Sequence, residues 1–199
     1  MSSVKLITKI GNDSISTQLT SELLLNYVDV IHPIKENETE EVITSSVTTV
    51  IVSEDVNERC CIHTPGSCGE LTEEEITQLN CENTNVIHMH CDTRHAKATF
   101  KLASEILQNN SNTIISIDLE KDRGPYMDKL LYLSNVIFTN ENYISSWIHK
   151  HHLMHYINDT SSKIRNSIFL FAYYFFQTYQ HLNEIVITRY VIRSIILWP

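Results

Sequence analysis

The chain has 199 residues, with 15 Lys and Arg against 24 Asp and Glu and a formal net charge of −9. This acidity, with no basic stripe, argues against nucleic acid as a partner, because phosphate neutralisation dominates that kind of binding. No run reaches the roughly 18–20 apolar residues that span a bilayer, and the nearest, Ile168–Phe176, reads as a buried helix, so no membrane partner is expected. The length suits one domain with room for a small appendage and can bury a substantial core.

Val4–Ile10 mixes apolar and polar residues as a strand does, and Gly11-Asn12-Asp13 reads as a turn. Ser14–Tyr27 carries Ile15, Leu19, Leu23 and Leu24 at helical spacing, with Asp13 or Ser14 available as N-cap. From Val28 to His63 the runs VDVIHPI, VITSSVTTVIV and RCCIH are β-branched, which predicts a small antiparallel sheet projecting from the main body. Thr72 with Glu75 three residues on predicts a capping box and a helix start. Between Asn85 and Trp147 lie two consecutive βα units, with strands at Val86–Met89, Thr113–Ile117 and Val136–Phe138. Ser145–Lys163 reads as loop or frayed helix, followed by a helical stretch to about Gln180 and a last strand, Ile185–Thr188.

The five cysteines (Cys60, Cys61, Cys68, Cys81, Cys91) are odd in number, and the start lacks a basic n-region, a long apolar stretch and a cleavage site. Reduced thiols in a cytoplasmic protein are expected. Cys60, Cys61, His63 and Cys68 lie close in sequence, as do His88, His90, Cys91 and His95, yet neither group has the C-x₂-C pairs a closed zinc site favours. His88 and His90 share a strand face opposite Met89 and read as core or hydrogen-bonded histidines. His149, His151, His152 and His155 read as a fortuitous His-rich loop, so no metal ligands are assigned.

In open parallel sheets ligands bind beyond the carboxyl ends of the strands. Asp92, Arg94, Asp118, Glu120, Asn140 and Glu141 all fall there and point to one candidate site. Asp92 could accept hydrogen bonds from a polyol, and Arg94 could pair with it or with phosphate; the plainer reading is an exposed ion pair holding a loop. Asp118–Arg123, with alternating charges, reads equally as a solvated loop, and Thr139 or Asn140 as the N-cap of the next helix. There is no G-x-S-x-G, P-loop or G-x-G-x-x-G, and four glycines leave little scope to cradle phosphate.

KIGND at Lys9–Asp13, VTTVIVSEDVNERCCIHTPG at Val47–Gly66, GELTEEEI at Gly69–Ile76, HMHCDTRH at His88–His95, IDLEKDR at Ile117–Arg123 and NVIFTNENYISSW at Asn135–Trp147 resemble, in that order, the PfkB or ribokinase-like carbohydrate kinases. The likeness is to their ketohexokinase-like branch. It implies an α/β sandwich with a parallel central sheet and a small β lid. The whole chain, 1–199, is then a partial kinase domain, with the lid at about 28–63 and a divergent segment at 150–199. It also implies phosphoryl transfer from ATP, with Mg²⁺, to the hydroxymethyl group of a sugar or nucleoside. Arg59 and the pair Asn140 and Glu141 match nucleotide positions, and Asp92, with Arg94 beside it, matches the substrate side. The N-x-x-E segment departs from the family at Tyr143. The family's first strand, with its sugar-binding Asp, should precede Val4. Glu184–Arg189 resembles the strand before its nucleotide turn, but Tyr190 and Arg193 replace the glycines. No Gly-Ala-Gly-Asp occurs, so no catalytic residue is assigned and no phosphate transfer is expected. The alternatives are a non-catalytic interaction module pairing through the lid, and an unrelated metal-binding α/β protein. The lid strands, about Ile43–Cys61, are expected to expose an apolar face with Val47, Val50 and Val52 that needs a partner.

Overall fold

The computed structural model describes residues 4–33, 41–53, 55, 58–79, 85–152, 184–187 and 192–195. It divides into two compact units, 1–80 and 81–199.

In the first unit, β1 (Val4–Ile7) and β2 (Val28–Ile31) pair in parallel, and α1 (Ser14–Leu25) makes the crossover. Val28–Ile31 therefore does not belong to the antiparallel lid expected from sequence. Having crossed back along a helix, the chain enters β2 in the same direction as β1, which imposes parallel pairing. The antiparallel sheet is a hairpin of β3 (Val47–Ser53) and β4 (Glu58–Thr64), registered from Val47 opposite Thr64 to Ser53 opposite Glu58. Strand alternation puts Val50 and Val52 on one face and Val47 on the other, so the three valines do not form one apolar face.

Hydrogen bonds fix the base of this unit. Asp13 caps α1 by accepting from the Ser16 amide at 2.9 Å, and also accepts from the Ser45 amide at 2.7 Å and the Ser45 hydroxyl at 2.9 Å. The Ser45 amide bond is the main reason the Asp13 carboxyl is held below its ordinary range; burial opposes it, and the bonds from Ser16 and the Ser45 hydroxyl add to the lowering. The segment around Thr44 lies between two glycines. A Cβ on Gly11 would stand 2.0 Å from the Ile43 carbonyl oxygen, and one on Gly66 2.2 Å from that of Thr44. α2 (Glu73–Gln78) begins with the expected capping box, Thr72 and Glu75 bonding reciprocally. Glu75 also pairs with Lys9 at 2.8 Å, tying α2 to the segment after β1.

The second unit alternates β5 (His88–Asp92), α3 (Ala96–Asn109), β6 (Ile114–Leu119), α4 (Pro125–Leu133), β7 (Val136–Thr139) and α5 (Glu141–Lys150), then β8 (Glu184–Ile187) and β9 (Ile192–Ile195). The sheet order is β5-β6-β7-β8-β9, parallel except for the antiparallel β8–β9 pair. The strands run further than expected, so Asp92, Asp118 and Thr139 are their carboxyl-terminal residues or nearly so. Of the two readings offered for this stretch, loop or frayed helix, Ser145–Lys150 takes the helical one as the second half of α5, because Ile144, Trp147 and Ile148 give it a buried stripe. β9 was not foreseen. The stretch to Gln180, with Ile168–Phe176 and His155, lies outside the described residues.

Met89, Cys91, Ile115, Ile117, Leu119 and Ile137 form one buried face of this sheet. The apolar stripes Ala98, Leu102, Ala103, Ile106 of α3 and Met127, Leu130, Leu131 of α4 are buried too. Each fully buried Leu, Ile or Met contributes roughly 1.5–3 kcal/mol relative to exposure. Among the described residues no helix is long and apolar enough to cross a membrane.

Candidate functional site

The opposite face of β5–β7 has a different chemistry. Parallel strands covered on both faces are usually near-continuous apolar runs, yet here the second row reads His88, His90, Asp92 on β5, Ser116 and Asp118 on β6, and Phe138 on β7. The Ser116 hydroxyl lies 2.8 Å from His88 Nε2 and 2.9 Å from His90 Nδ1. One hydroxyl has one proton and two lone pairs, so at least one of the two imidazoles donates to it. The edge of Phe138 meets the His90 ring at a centroid distance of 5.7 Å and 78°. His88, His90, Ser116, Asp118, Glu120 and Phe138 line an open depression of about 360 Å³.

Asp118 sits at the mouth of this depression, in register with Asp92 on the next strand. Burial raises its carboxyl above the ordinary range, Glu120 and Asp92 add to the shift, and His90 opposes it. Asp92 itself accepts from the Arg94 amide at 3.0 Å and faces the Arg94 guanidinium at 3.5 Å, with both side chains more than half exposed. That is the exposed strand-end pair, of a kind worth roughly 0–1 kcal/mol.

A second depression of about 340 Å³ lies beyond β6 and β7, lined by residues that include Glu120, Asp122, Asn140 and Ser146. Asn140 is the N-cap of α5, accepting from the Tyr143 amide at 2.9 Å, and Glu141 is the first helical residue. Tyr143, standing where the family has Glu, is 7% exposed and belongs to the core. Asp122, which lines this depression, is bonded by Lys150, which lowers the Asp122 carboxyl and raises the Lys150 ammonium.

The strand ends thus bring Asp92, Asp118, Glu120 and Asn140 to one end of one sheet, with Glu120 lining both depressions. Arg59 belongs to the first unit, exposed on β4 opposite Val52. Sequence reasoning placed His88 and His90 on one face but missed Ser116 between them. The clue was Ser116 sharing the parity of Asp118 along its strand; the pairing register was not legible. The Lys150–Asp122 pair gave no local signal. Cys60, Cys61, Cys68 and Cys91 are free thiols, and burial pushes the Cys91 thiol up to about 12, with Asp92 adding to the effect. Among the described residues no three His, Cys, Asp or Glu side chains are placed to hold a metal ion.

No protein-family model and no curated protein matches the sequence. Solved structures do. A ribokinase from Giardia lamblia matches with a TM-score of 0.63 at 12% identity, over 96% of this chain and 54% of that one. An Anopheles gambiae adenosine kinase in complex with P1,P4-di(adenosine-5) tetraphosphate gives 0.67 at 12% identity, over 92% and 54%. A fructokinase from Xylella fastidiosa gives 0.59 at 13% identity, over 93% and 55%. The chain therefore has the fold of the ribokinase-like sugar and nucleoside kinases, and spans about half the length of these structures.

Proposed function

We propose that this chain is the nucleotide-handling part of a ribokinase-type sugar or nucleoside kinase fold of the ketohexokinase-like branch. On this reading it binds ATP with Mg²⁺ at the strand ends of the second unit, and as a 199-residue polypeptide it transfers no phosphate. The observation that carries it is the convergence of Asp92, Asp118, Glu120 and Asn140 at the carboxyl ends of β5–β7, in a sheet of the ribokinase type.

Mg²⁺ keeps several waters and takes one or two carboxylates together with phosphate oxygens. Asp118 and Glu120 fit that need: burial is the main reason Asp118 is raised, and a cation would relieve the repulsion from Glu120 and Asp92 that adds to it. The ion would neutralise charge on the bound phosphates. Asn140 caps α5 with its carboxamide oxygen and leaves its NH₂ group to donate, while the first amides of α5 favour an anion. Asp92 and Arg94 are assigned to the sugar or nucleoside, and Arg59 and Glu141 to the nucleotide. Phosphoryl transfer also needs donors aimed at the developing charge and a positioned base. With glycine only at positions 11, 66, 69 and 124, the chain holds no Gly-rich amide cluster.

Calorimetry with ATP and Mg²⁺ tests the binding, which should be weak, depend on Mg²⁺ and fall at least tenfold in Asp118→Asn. Coupled ADP-release assays with fructose, ribose and nucleosides test the chemistry and should stay at background. Absence of ATP binding would overturn the nucleotide reading, and turnover above background that Asp118→Asn removes would overturn the inactivity. A second reading, a non-catalytic association module derived from such a kinase, is favoured by the exposed apolar residues of the β3–β4 hairpin.

A further inference from the structure

The acidity of the chain is unevenly spread. Residues 1–80 hold 14 Asp and Glu against 4 Lys and Arg, whereas residues 81–199 hold 10 against 11. Within the second unit Asp92, Asp118, Glu120 and Asp122 gather beyond the strand ends. The surface where α3 and α4 meet has the opposite sign. There the Lys129 ammonium stands 4.5 Å from the centre of the Tyr126 ring and 5.5 Å from that of Phe100. The Lys97 ammonium reaches the same Tyr126 ring at 6.0 Å. The two rings lie 6.0 Å apart, tilted by 56°. They are half-buried, while Lys97 and Lys129 are exposed.

Helix energetics does not call for these lysines. Lys97 lies in the first turn of α3, where the helix dipole disfavours a cation. Lys97 and Lys101, four residues apart, are like charges on one helix face, which is also unfavourable. Glu105 offsets Lys101 at 2.8 Å. Asp128, the sequence neighbour of Lys129, acts instead on Lys150 and His151 at the end of α5. Among the described residues Lys129 makes no ion pair. A ring face attracts an ammonium without cancelling its charge, so two ammonium groups on one tyrosine leave a positive field that an anion would relieve.

The chemistry narrows which anion. None of these five residues lines either depression, and small ligands need concave sites, so the occupant is part of a macromolecule. Lysines are point charges without the guanidinium fork that matches phosphate bidentately. A uniformly charged nucleic acid would also meet the −9 of the whole chain. A short run of carboxylates needs only the local field. Lys97 and Lys101 are ~6 Å apart along the helix axis, close to the ~6.6 Å between alternate residues of an extended peptide. Phe100 and Tyr126 beneath them offer ring area for its apolar stems.

We propose that the α3–α4 surface formed by Lys97, Phe100, Lys101, Tyr126 and Lys129 docks an extended acidic peptide segment of a partner protein. The site stands apart from the strand ends and holds whatever ligand they take.

Fluorescence anisotropy with fluorescein-labelled octaglutamate and the 199-residue chain tests it. Binding should be saturable and weaken at least tenfold in Lys97→Glu with Lys129→Glu. Lys5→Glu with Lys121→Glu makes the same change of net charge elsewhere and should cost less than twofold. Phe100→Leu with Tyr126→Leu, which keep apolar bulk and remove the ring faces, should weaken binding at least threefold. Circular dichroism checks that each variant folds, and ATP calorimetry on the Lys97 and Lys129 variant should match the unaltered chain, separating this site from the nucleotide reading. Absence of saturable binding, or equal losses in the two charge-reversed pairs, would overturn the proposal. So would an oligothymidylate of equal charge binding as tightly as the peptide, since that is attraction for any polyanion.

Discussion

The two units are built on different physics. The second is a packed core: Ile115, Ile117, Leu119, Met127, Leu130, Leu131, Ile137, Ile144 and Ile148 are all fully buried. Among the described residues of the first, only Ile76 of the large side chains reaches that state, while Val4, Ile15, Leu24, Leu25 and Tyr27 are at least 45% exposed. Its order is carried instead by directed polar bonds around Asp13, Asn12, Thr44, Ser45 and the Lys9–Glu75 pair. Burial is non-directional and scales with area, whereas each hydrogen bond nets only about 0.5–1.5 kcal/mol but is costly to leave half made. One unit is therefore sensitive to volume and the other to the loss of single polar atoms.

That contrast can be broken by substitution. The largest effect should come from Ile117→Ala or Leu130→Ala in the second unit, which empty sites with no exposure. Each should cost about 2–5 kcal/mol in urea unfolding. Asp13→Ala should follow, at about 1–2 kcal/mol for a lost N-cap. Hydrogen exchange should place the loss at Ser16 and Ser45, leaving β6 protected. If it spread equally into β6 and β7, the division into two kinds of unit would be wrong.

Acid titration separates Asp13 and Glu75 from Asp118 by sign. Asp13 and Glu75 have folded pKa values lowered below their unfolded values. Their contribution is complete above the ordinary carboxylate range and is lost as pH falls through the lowered values. Asp118 is shifted the other way by burial and by Glu120, so it penalises the fold above its raised pKa and the penalty vanishes as it protonates. Asp118→Asn should therefore raise the melting temperature slightly at pH 7 and not at pH 3, whereas Asp13→Asn should lower it at pH 7. His151, stacked on Trp147 at 4.1 Å, has its pKa lowered mainly by burial, so its share of stability is lost as pH falls below about 6.5. Tryptophan fluorescence across that range follows it.

The smallest effect sharpens the comparison from the surface. Tyr27 follows α1 with φ 62° and is 89% exposed, a left-handed backbone that costs a residue with a Cβ roughly 1 kcal/mol. Tyr27→Gly should return about that amount as a small rise in melting temperature.

What could be read in advance divides along the same line. The βα repeat and the capping box at Thr72 are local patterns and stand where the residues said they would, and the caps at Asp13 and Asn140 are each one of the two neighbouring positions the residues offered. Register is not local. Val47 was grouped with Val50 and Val52, and the three runs from Val28 to His63 were read as one sheet, because β-branched composition is blind to pairing partner and direction. Asp92, Asp118, Glu120 and Asn140 converge as expected at the strand ends. The two histidines sharing Ser116, by contrast, depend on β5 and β6 being in a particular alignment across 26 and 28 residues. Lys150 meeting Asp122 depends likewise on where α5 happens to end.

The tie between Lys9 and Glu75 has a consequence in time. It joins residues 66 apart, and the Lys9 bond to the Glu70 carbonyl spans 61, so the first unit must close almost its whole length before its polar anchors can form. Loop closure has to be met before such contacts reward it, and chains dominated by distant contacts fold slowly. The βα units of the second close loops less than half as long. On refolding from denaturant, β5–β7 should gain exchange protection first and the Lys9–Glu75 region last.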